Sequence, residues 1–367
     1  MSGEEYKMEK LSKIRELMKQ KQLDAIIISS QGNFSWFSDG GRGHVAMASE
    51  SSVGSFFITL DKIYLITSNI EAQRLKEEEL PNLDYELKEH PWHDNNKKDQ
   101  IMRELCAGKR VGSDTPVEGT ASVANDIAKL RYTLTDLEVE HYKELGKHCG
   151  EAIGIVCKVM KPGLSEFEIA GIMASELYSR SVTPVVLLIA VDDRIERYRH
   201  PLPTDKRVNK YGMIVICGRK YGLVVSATRL FHFGNMSDEL RRKHNAVVEV
   251  DTVFIAESRP DAVIGDIFAS AQEMYADKGF PGEWQFHHQG GPAGYAPRDY
   301  VATPGDASKV LKQQAYAWNP SIKGTKSEDT IITTSDKPEI ISATPDWPMI
   351  AVQYKGETWK RPDILVL

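Results

Sequence analysis

A loose internal repeat constrains this chain more than any other feature. KPGLSEFEIAGIMASELYSRSVTP at 161–184 recurs as RPDAVIGDIFASAQEMYADKGFP at 259–281. Each copy starts with a basic residue and a proline, turns, passes an acidic residue and an isoleucine, and runs on as an amphipathic helix of similar length. A long helical stretch precedes each copy and strand-like segments follow. Two copies of one unit can pack about a pseudo-two-fold with a site between them, so the repeat predicts a duplicated α+β domain. Any two amphipathic helices after a proline share part of this pattern, so the reading needs support from the rest of the chain.

That support starts with helix boundaries. Thr135 with Glu138, and Ser165 with Glu168, have the spacing of capping boxes. The first helix is expected to end at Lys161-Pro162-Gly163. Residues 1–130 follow a different rhythm. An amphipathic stretch at 7–22 leads into the strand-like DAIIISS, and VGSFFITLDKIYLIT reads as two strands about a turn at Asp61-Lys62. A helix, IEAQRLKEEEL, and two short strands, LDYELKEH and KRVGSD, complete a compact α/β domain. The expected division is therefore 1–130 and 131–367.

Composition narrows the function classes. A net charge of −6 offers no basic footing for nucleic acid or an anionic membrane surface. The start, MSGEEYKMEK, has no apolar core of a signal peptide, and no run approaches membrane-spanning length. Cys106, Cys149, Cys157 and Cys217 form no C-x-x-C pair, and Cys149 and Cys157 read as core fillers on one helix. The expectation is a cytoplasmic protein with reduced thiols.

The chemistry concentrates in HHQGGPAGYAPRDY at 287–300, where Gly and Pro exclude a regular helix or inner strand. His287 and His288 are adjacent, so in extended chain they are expected to point to opposite sides and not to share an ion. His232, in LFHFG, is expected to face out of a strand.

Four stretches, ICGRKYGLVVSATR, HHQGGPAG, AWNPSI and SEDTIIT, resemble the creatinase / aminopeptidase P / prolidase family, which has the duplicated pita-bread fold. The N-terminal third resembles that family's smaller α/β domain. In the metallopeptidase members the matching motifs supply five ligands to two cations. Here those positions fall on Ile216, on Ser226 or Ala227, on Gly291, on Asn319 and on Glu328. One carboxylate among Ile, Gly and a neutral amide cannot offset two cations. The resemblance therefore implies a metal-independent member without a cofactor. A single-ion site rebuilt from His200, His287 and Glu328 is the alternative.

His200, in RYRHPLPTDKRVNKYG, takes the position of the histidine that metal-free members, creatinase and ectoine hydrolase, use for proton transfer in cleaving a C–N bond. Glu328 is its expected catalytic partner. Arg298 falls where peptidases carry a histidine, with Asp299 beside it, and an arginine fork suits a substrate carboxylate. Asn319 and His288 are expected to contact substrate, with Trp318 and Tyr295 as apolar walls. Arg42 and His44, in NFSWFSDGGRGH, resemble the segment that reaches toward the partner's site in creatinase-like dimers, which implies a homodimer. Thr228 departs from the creatinase pattern and argues against creatine as substrate.

The resulting expectation is a metal-independent hydrolase of a C–N bond in a small carboxylate-bearing compound, with His200 as acid–base. A non-catalytic pita-bread relative that binds a small molecule or peptide is the second reading. An Xaa-Pro peptidase-like metalloenzyme with an atypical site is the third.

Overall fold

The computed structural model describes residues 3–367, in two compact units that meet in sequence between Arg131 and Tyr132. In the first unit, helix Gly3–Lys21 leads into a six-stranded mixed sheet. Its middle strands, Ala25–Ser30 and Ser51–Thr59, carry Ile26, Ile28, Phe56 and Phe57 at positions closed to solvent. Helix Gln31–Phe37 is buried along most of its length, and Phe34 stacks on Phe56 with ring centroids 4.7 Å apart. Arg42 follows that helix. Its backbone N–H and Nε donate to the Glu79 carboxylate at 2.7 and 2.9 Å, which ties the segment to its own unit.

The second unit shows the element order of the repeat. A long helix, Asp136–Lys158, is followed by Glu166–Tyr178 and then by strands; another long helix, Asp238–Glu257, is followed by Ile264–Asp277 and again by strands. In both copies the shorter helix opens four residues after its proline, Pro162 or Pro260. Both capping boxes form, each with the serine or threonine hydroxyl accepting from the glutamate N–H and the glutamate carboxylate accepting in return. The long first helix stops at Lys158, slightly before the expected Lys161.

One sheet holds Thr183–Val191, Tyr211–Lys220, Leu223–His232 and Leu365–Val366; the other holds Gly290–Ala293, Ala315–Trp318, Asp329–Ile332 and Glu339–Ile340. Gly146, Gly150 and Gly154 share one face of the first helix and let residues 341–344 pass directly against it. A Cβ at Gly150 would sit 2.2 Å from the Ala343 carbonyl oxygen. Cys149 and Cys157 are fully buried, as core fillers should be. His232 does not face outward: it is buried, and its Nδ1 lies 3.0 Å from the Gly234 carbonyl, because the C-terminal strand pairs over that edge. Among the described residues, no helix is long and apolar enough to cross a membrane.

Candidate active site

Strand alternation assembles the floor of the site. Ser321 pairs with Lys326, and Trp318 with Asp329. The same register sets Asn319 opposite Glu328, so Asn319, Ser321, Lys326 and Glu328 present one polar face. The neighbouring hairpin adds Cys217 and Ser226, which are cross-strand partners with Sγ and Oγ 3.2 Å apart. Ile216 pairs with Ala227 and points to the opposite face. Cys217, not the expected Ile216, is thus the side chain that this strand offers to the cluster.

Glu328 is the electrostatic centre. Its Oε2 lies 2.7 Å from Lys326 Nζ and accepts from Thr228 Oγ1 at 2.6 Å, while its Oε1 accepts from Arg298 at 3.0 Å. Burial pushes the carboxyl pKa up, yet Lys326 and Arg298 together hold it down at about 2. The carboxylate is ionised and engaged by three side chains, which makes it an anchor for the floor beside the His200 expected to carry the proton. Arg298 was expected to fork a substrate carboxylate. Its two terminal nitrogens are spent inside the chain, on Glu328 and on Ser226 and Pro297, because the loop folds it back over the floor. Its buried Nε has no partner.

The imidazoles sit at the other end. His200 rides on a segment tied down by Glu166, a fully buried carboxylate that accepts from the Val191 N–H, the Thr204 N–H and hydroxyl, and Arg194. Arg199 pins the same segment to Ser321 and Glu283. His200 Nε2 faces His287 Nε2 at 3.2 Å, and Asn319 Nδ2 lies 3.4 Å from that same His287 nitrogen. With Nδ1 of His287 3.0 Å from Ser321 Oγ, this pattern places the His287 proton on Nδ1 and leaves Nε2 as acceptor. Burial, reinforced by Lys326, pushes the His287 pKa far below the ordinary histidine range, and burial with Arg298 pushes His288 down to about 4. Both rings are neutral at pH 7.

His287 and His288 converge on a third ring despite their adjacency. Ring nitrogens of His200, His287 and His288 all lie within 4.8 Å of one another. The backbone at His287 is extended, with φ −156° and ψ 139°. Convergence arises because His200 comes in from a different segment and meets both rings, at centroid distances of 5.0 and 5.4 Å. These imidazoles border a pocket of about 430 Å³ whose remaining wall includes Phe268, Trp284, Phe286 and Val301.

The structure brings together His200, His288, Arg298, Asn319 and Glu328 from the sequence-derived set. Trp318 and Tyr295 are not walls of this pocket. Trp318 is fully buried between Phe254 and Tyr316, with its Nε1 donating to Ser258, and Tyr295 is buried with its hydroxyl on Glu138. Both were misplaced because an aromatic side chain beside a polar site residue reads identically in core and in pocket. Arg42 belongs to the N-terminal unit, paired with Glu79. Sequence reasoning missed Lys326, Cys217 and Ser321. Lys326 was detectable, since it lies two residues before Glu328 and must share its face in a strand.

The motif resemblance assigns the five ligand positions of the two-cation centre to Ile216, Ser226 or Ala227, Gly291, Asn319 and Glu328. Gly291, which that resemblance aligns with the histidine ligand, has φ +153°, and a Cβ there would lie 2.5 Å from the Tyr300 carbonyl oxygen and 2.9 Å from the Ala302 nitrogen. A side chain at that position would be strained and would press on neighbouring backbone. The one carboxylate of the set is already neutralised by two cationic side chains.

Comparison with known proteins agrees with this architecture. The model of metallopeptidase family M24 matches residues 140–335, and that of the creatinase/prolidase N-terminal domain matches residues 10–145. An uncharacterized peptidase of Staphylococcus haemolyticus is 24% identical over 91% of this chain and 99% of its own length. Among solved structures, the prolidase from Pyrococcus horikoshii superposes with a TM-score of 0.78 at 18% identity, covering 92% of this chain and 98% of its own. A dipeptidase from Mycobacterium ulcerans gives 0.79 at 14% identity, covering 100% and 99%. The N-terminal domain of a FACT complex subunit from Cicer arietinum gives 0.71 at 12% identity, covering 92% and 95%.

Proposed function

The chain belongs to metallopeptidase family M24, and on that premise we propose that it hydrolyses a C–N bond in a small carboxylate-bearing compound, without the two-cation centre and with the imidazole cluster headed by His200 activating water. The observation that carries this reading is the charge imbalance on the floor. Lys326 and Arg298 face a single carboxylate, Glu328, which leaves one positive charge in a desolvated setting. An anionic substrate group relieves that imbalance, and the unpartnered Arg298 Nε is a donor for it. On the imidazole side, His200, His287 and His288 line a pocket of about 430 Å³, a volume that suits a small ligand, while Lys326, Arg298 and Glu328 lie outside its lining.

In the reaction the oxygen of water bonds to the carbon, the C–N pair leaves with nitrogen, and nitrogen takes up a proton. Water loses one proton and the leaving group gains one, so a neutral imidazole that accepts and returns it balances the step. His200 is the exposed member of the cluster and the one that meets substrate. The relatives are named as peptidases, a prolidase and a dipeptidase. Dipeptides that end in an imino acid are carboxylate-bearing C–N substrates of this size and head the search, ahead of N-acyl and amidino acids.

The test is a thermal-shift screen of these three classes, followed by hydrolysis assays on the hits. His200→Asn keeps size and hydrogen bonding, and is expected to lower kcat by about 10²–10⁴-fold while ligand binding weakens only modestly. Equal turnover by wild type and His200→Asn overturns the assignment. Binding without hydrolysis in every class makes the cleft a binding module.

A further inference from the structure

We propose that His200, His287 and His288 form a site for one divalent transition-metal ion, separate from the positions that hold two cations in the resembling metallopeptidases. The inference rests on the reading above in placing the reactive centre at the imidazoles, and it changes the part of His200: with Nε2 on an ion, the ring would hold the metal, and the ion would supply the activation of water in place of the free imidazole. A tetrahedral ion with metal–nitrogen bonds of about 2.0–2.1 Å sets its ligand nitrogens about 3.3–3.4 Å apart. His200 Nε2 and His287 Nε2 are already 3.2 Å apart. The third ring has a nitrogen within 4.8 Å of both, so a small rotation of the half-buried His288 completes the set. The rings do not stack. Interplanar angles of 75°, 42° and 49° bring the three imidazoles in from different directions, as ligands to one centre must come.

Two further observations point to an occupant. Metal-bound histidines commonly give their other ring N–H to a fixed acceptor. His287 Nδ1 meets Ser321 Oγ at 3.0 Å, and Arg199 holds that hydroxyl in place at 3.1 Å. Beside the cluster, Asn319 is 2% exposed and its Oδ1 has no partner, while Nδ1 of His288 is also buried without one. A bound ion would take a nitrogen of His288, and a water on that ion would supply a donor to the Asn319 amide oxygen. An all-imidazole set selects zinc, cobalt, nickel or copper over the hard, oxygen-seeking cations. Lys326 and Arg298 nearby weaken any cation electrostatically, with Glu328 offsetting one of them, so the site is expected to bind more tightly when an anionic ligand occupies the pocket.

The probe is Co²⁺ alone, titrated into full-length, tag-free protein that has been stripped with a chelator. Calorimetry is expected to give one Co²⁺ per chain, with visible ligand-field bands of a low-coordinate nitrogen site that Zn²⁺ bleaches. His200→Ala and His288→Ala, at exposed and half-buried positions where folding is tolerant, should each weaken Co²⁺ by more than about 100-fold, and Ser321→Ala by about 10–100-fold. Thermal unfolding of the metal-free variants checks that they fold. Absence of stoichiometric Co²⁺ in wild type, or unchanged affinity in His200→Ala and His288→Ala, overturns the site. Hydrolysis by protein that binds no Co²⁺ also overturns it while leaving the hydrolase standing. Tight Co²⁺ with no hydrolysis of any substrate class supports the site and removes the hydrolase.

Discussion

Lys326 Nζ lies 2.7 Å from Glu328 Oε2, with side chains only 4% and 3% exposed, so the acid at the centre of the cleft is neutralised by a lysine two residues away on its own chain. Breaking such a pair from one side leaves a buried charge uncompensated. Lys326→Met should therefore lower unfolding stability by about 3–5 kcal/mol in urea melts, less whatever Arg298 still supplies. Lys326→Met with Glu328→Leu should recover only part of the loss, because Arg298 then loses its counter-charge. A single variant as stable as wild type would contradict the pairing.

Glu166 acts on the site from a distance. It gathers Val191, Arg194 and Thr204 around one fully buried carboxylate and so holds the segment that presents His200. Glu166→Gln is expected to cost about 1–3 kcal/mol, since Arg194 loses its counter-charge. Turnover of an identified substrate should fall with little change in KM, because the floor that binds the carboxylate is untouched. Loss of binding alone would show that this segment does not position a reacting group.

Two glycines should respond in opposite directions. Gly291→Ala forces a Cβ against the Tyr300 carbonyl at a backbone conformation that L residues rarely adopt, and is expected to destabilise by about 1–3 kcal/mol or more. At Gly171, inside helix Glu166–Tyr178, a Cβ would meet nothing within 4 Å, so Gly171→Ala should stabilise by about 0.5–1 kcal/mol. Thermal melts of both variants check the pair. Gly291→His should accordingly fail to create a two-cation centre, as read by Mn²⁺ binding.

Acid sensitivity has an assignable part. Burial pushes His244 down to about 4, against the opposing pull of Asp363, while its ring nitrogens meet Thr325 Oγ1 at 2.8 Å and the Pro362 carbonyl at 3.1 Å. In the unfolded chain a histidine titrates near about 6.5. Between those values the unfolded state binds a proton that the folded state does not, so stability falls as pH drops from about 6.5 to about 4. Glu328 adds a lower limb: its depressed pKa stabilises above the ordinary carboxylate range, and this is lost as pH falls toward about 2. Urea midpoints measured against pH should show the upper limb in wild type and a shallower one in His244→Gln. Identical slopes would reassign it.

The sequence by itself determined what depends on neighbours along the chain. Capping boxes at Thr135 and Ser165 are local hydrogen-bond circuits, and the repeat carries its own helix phases, so both could be read directly. Asn319 and Glu328 were also legible, because motif frames mark strand positions. Only the tertiary structure decided which face of each strand meets the cleft, and so replaced Ile216 with Cys217 and brought in Lys326. It alone showed that Trp318 and Tyr295 lie in the core, since burial is a property of what packs around a side chain. The convergence of His287 and His288 on His200 was illegible for a related reason. Local geometry predicts two neighbouring rings pointing apart, and the third ring that meets both arrives from a segment 87 residues distant in sequence.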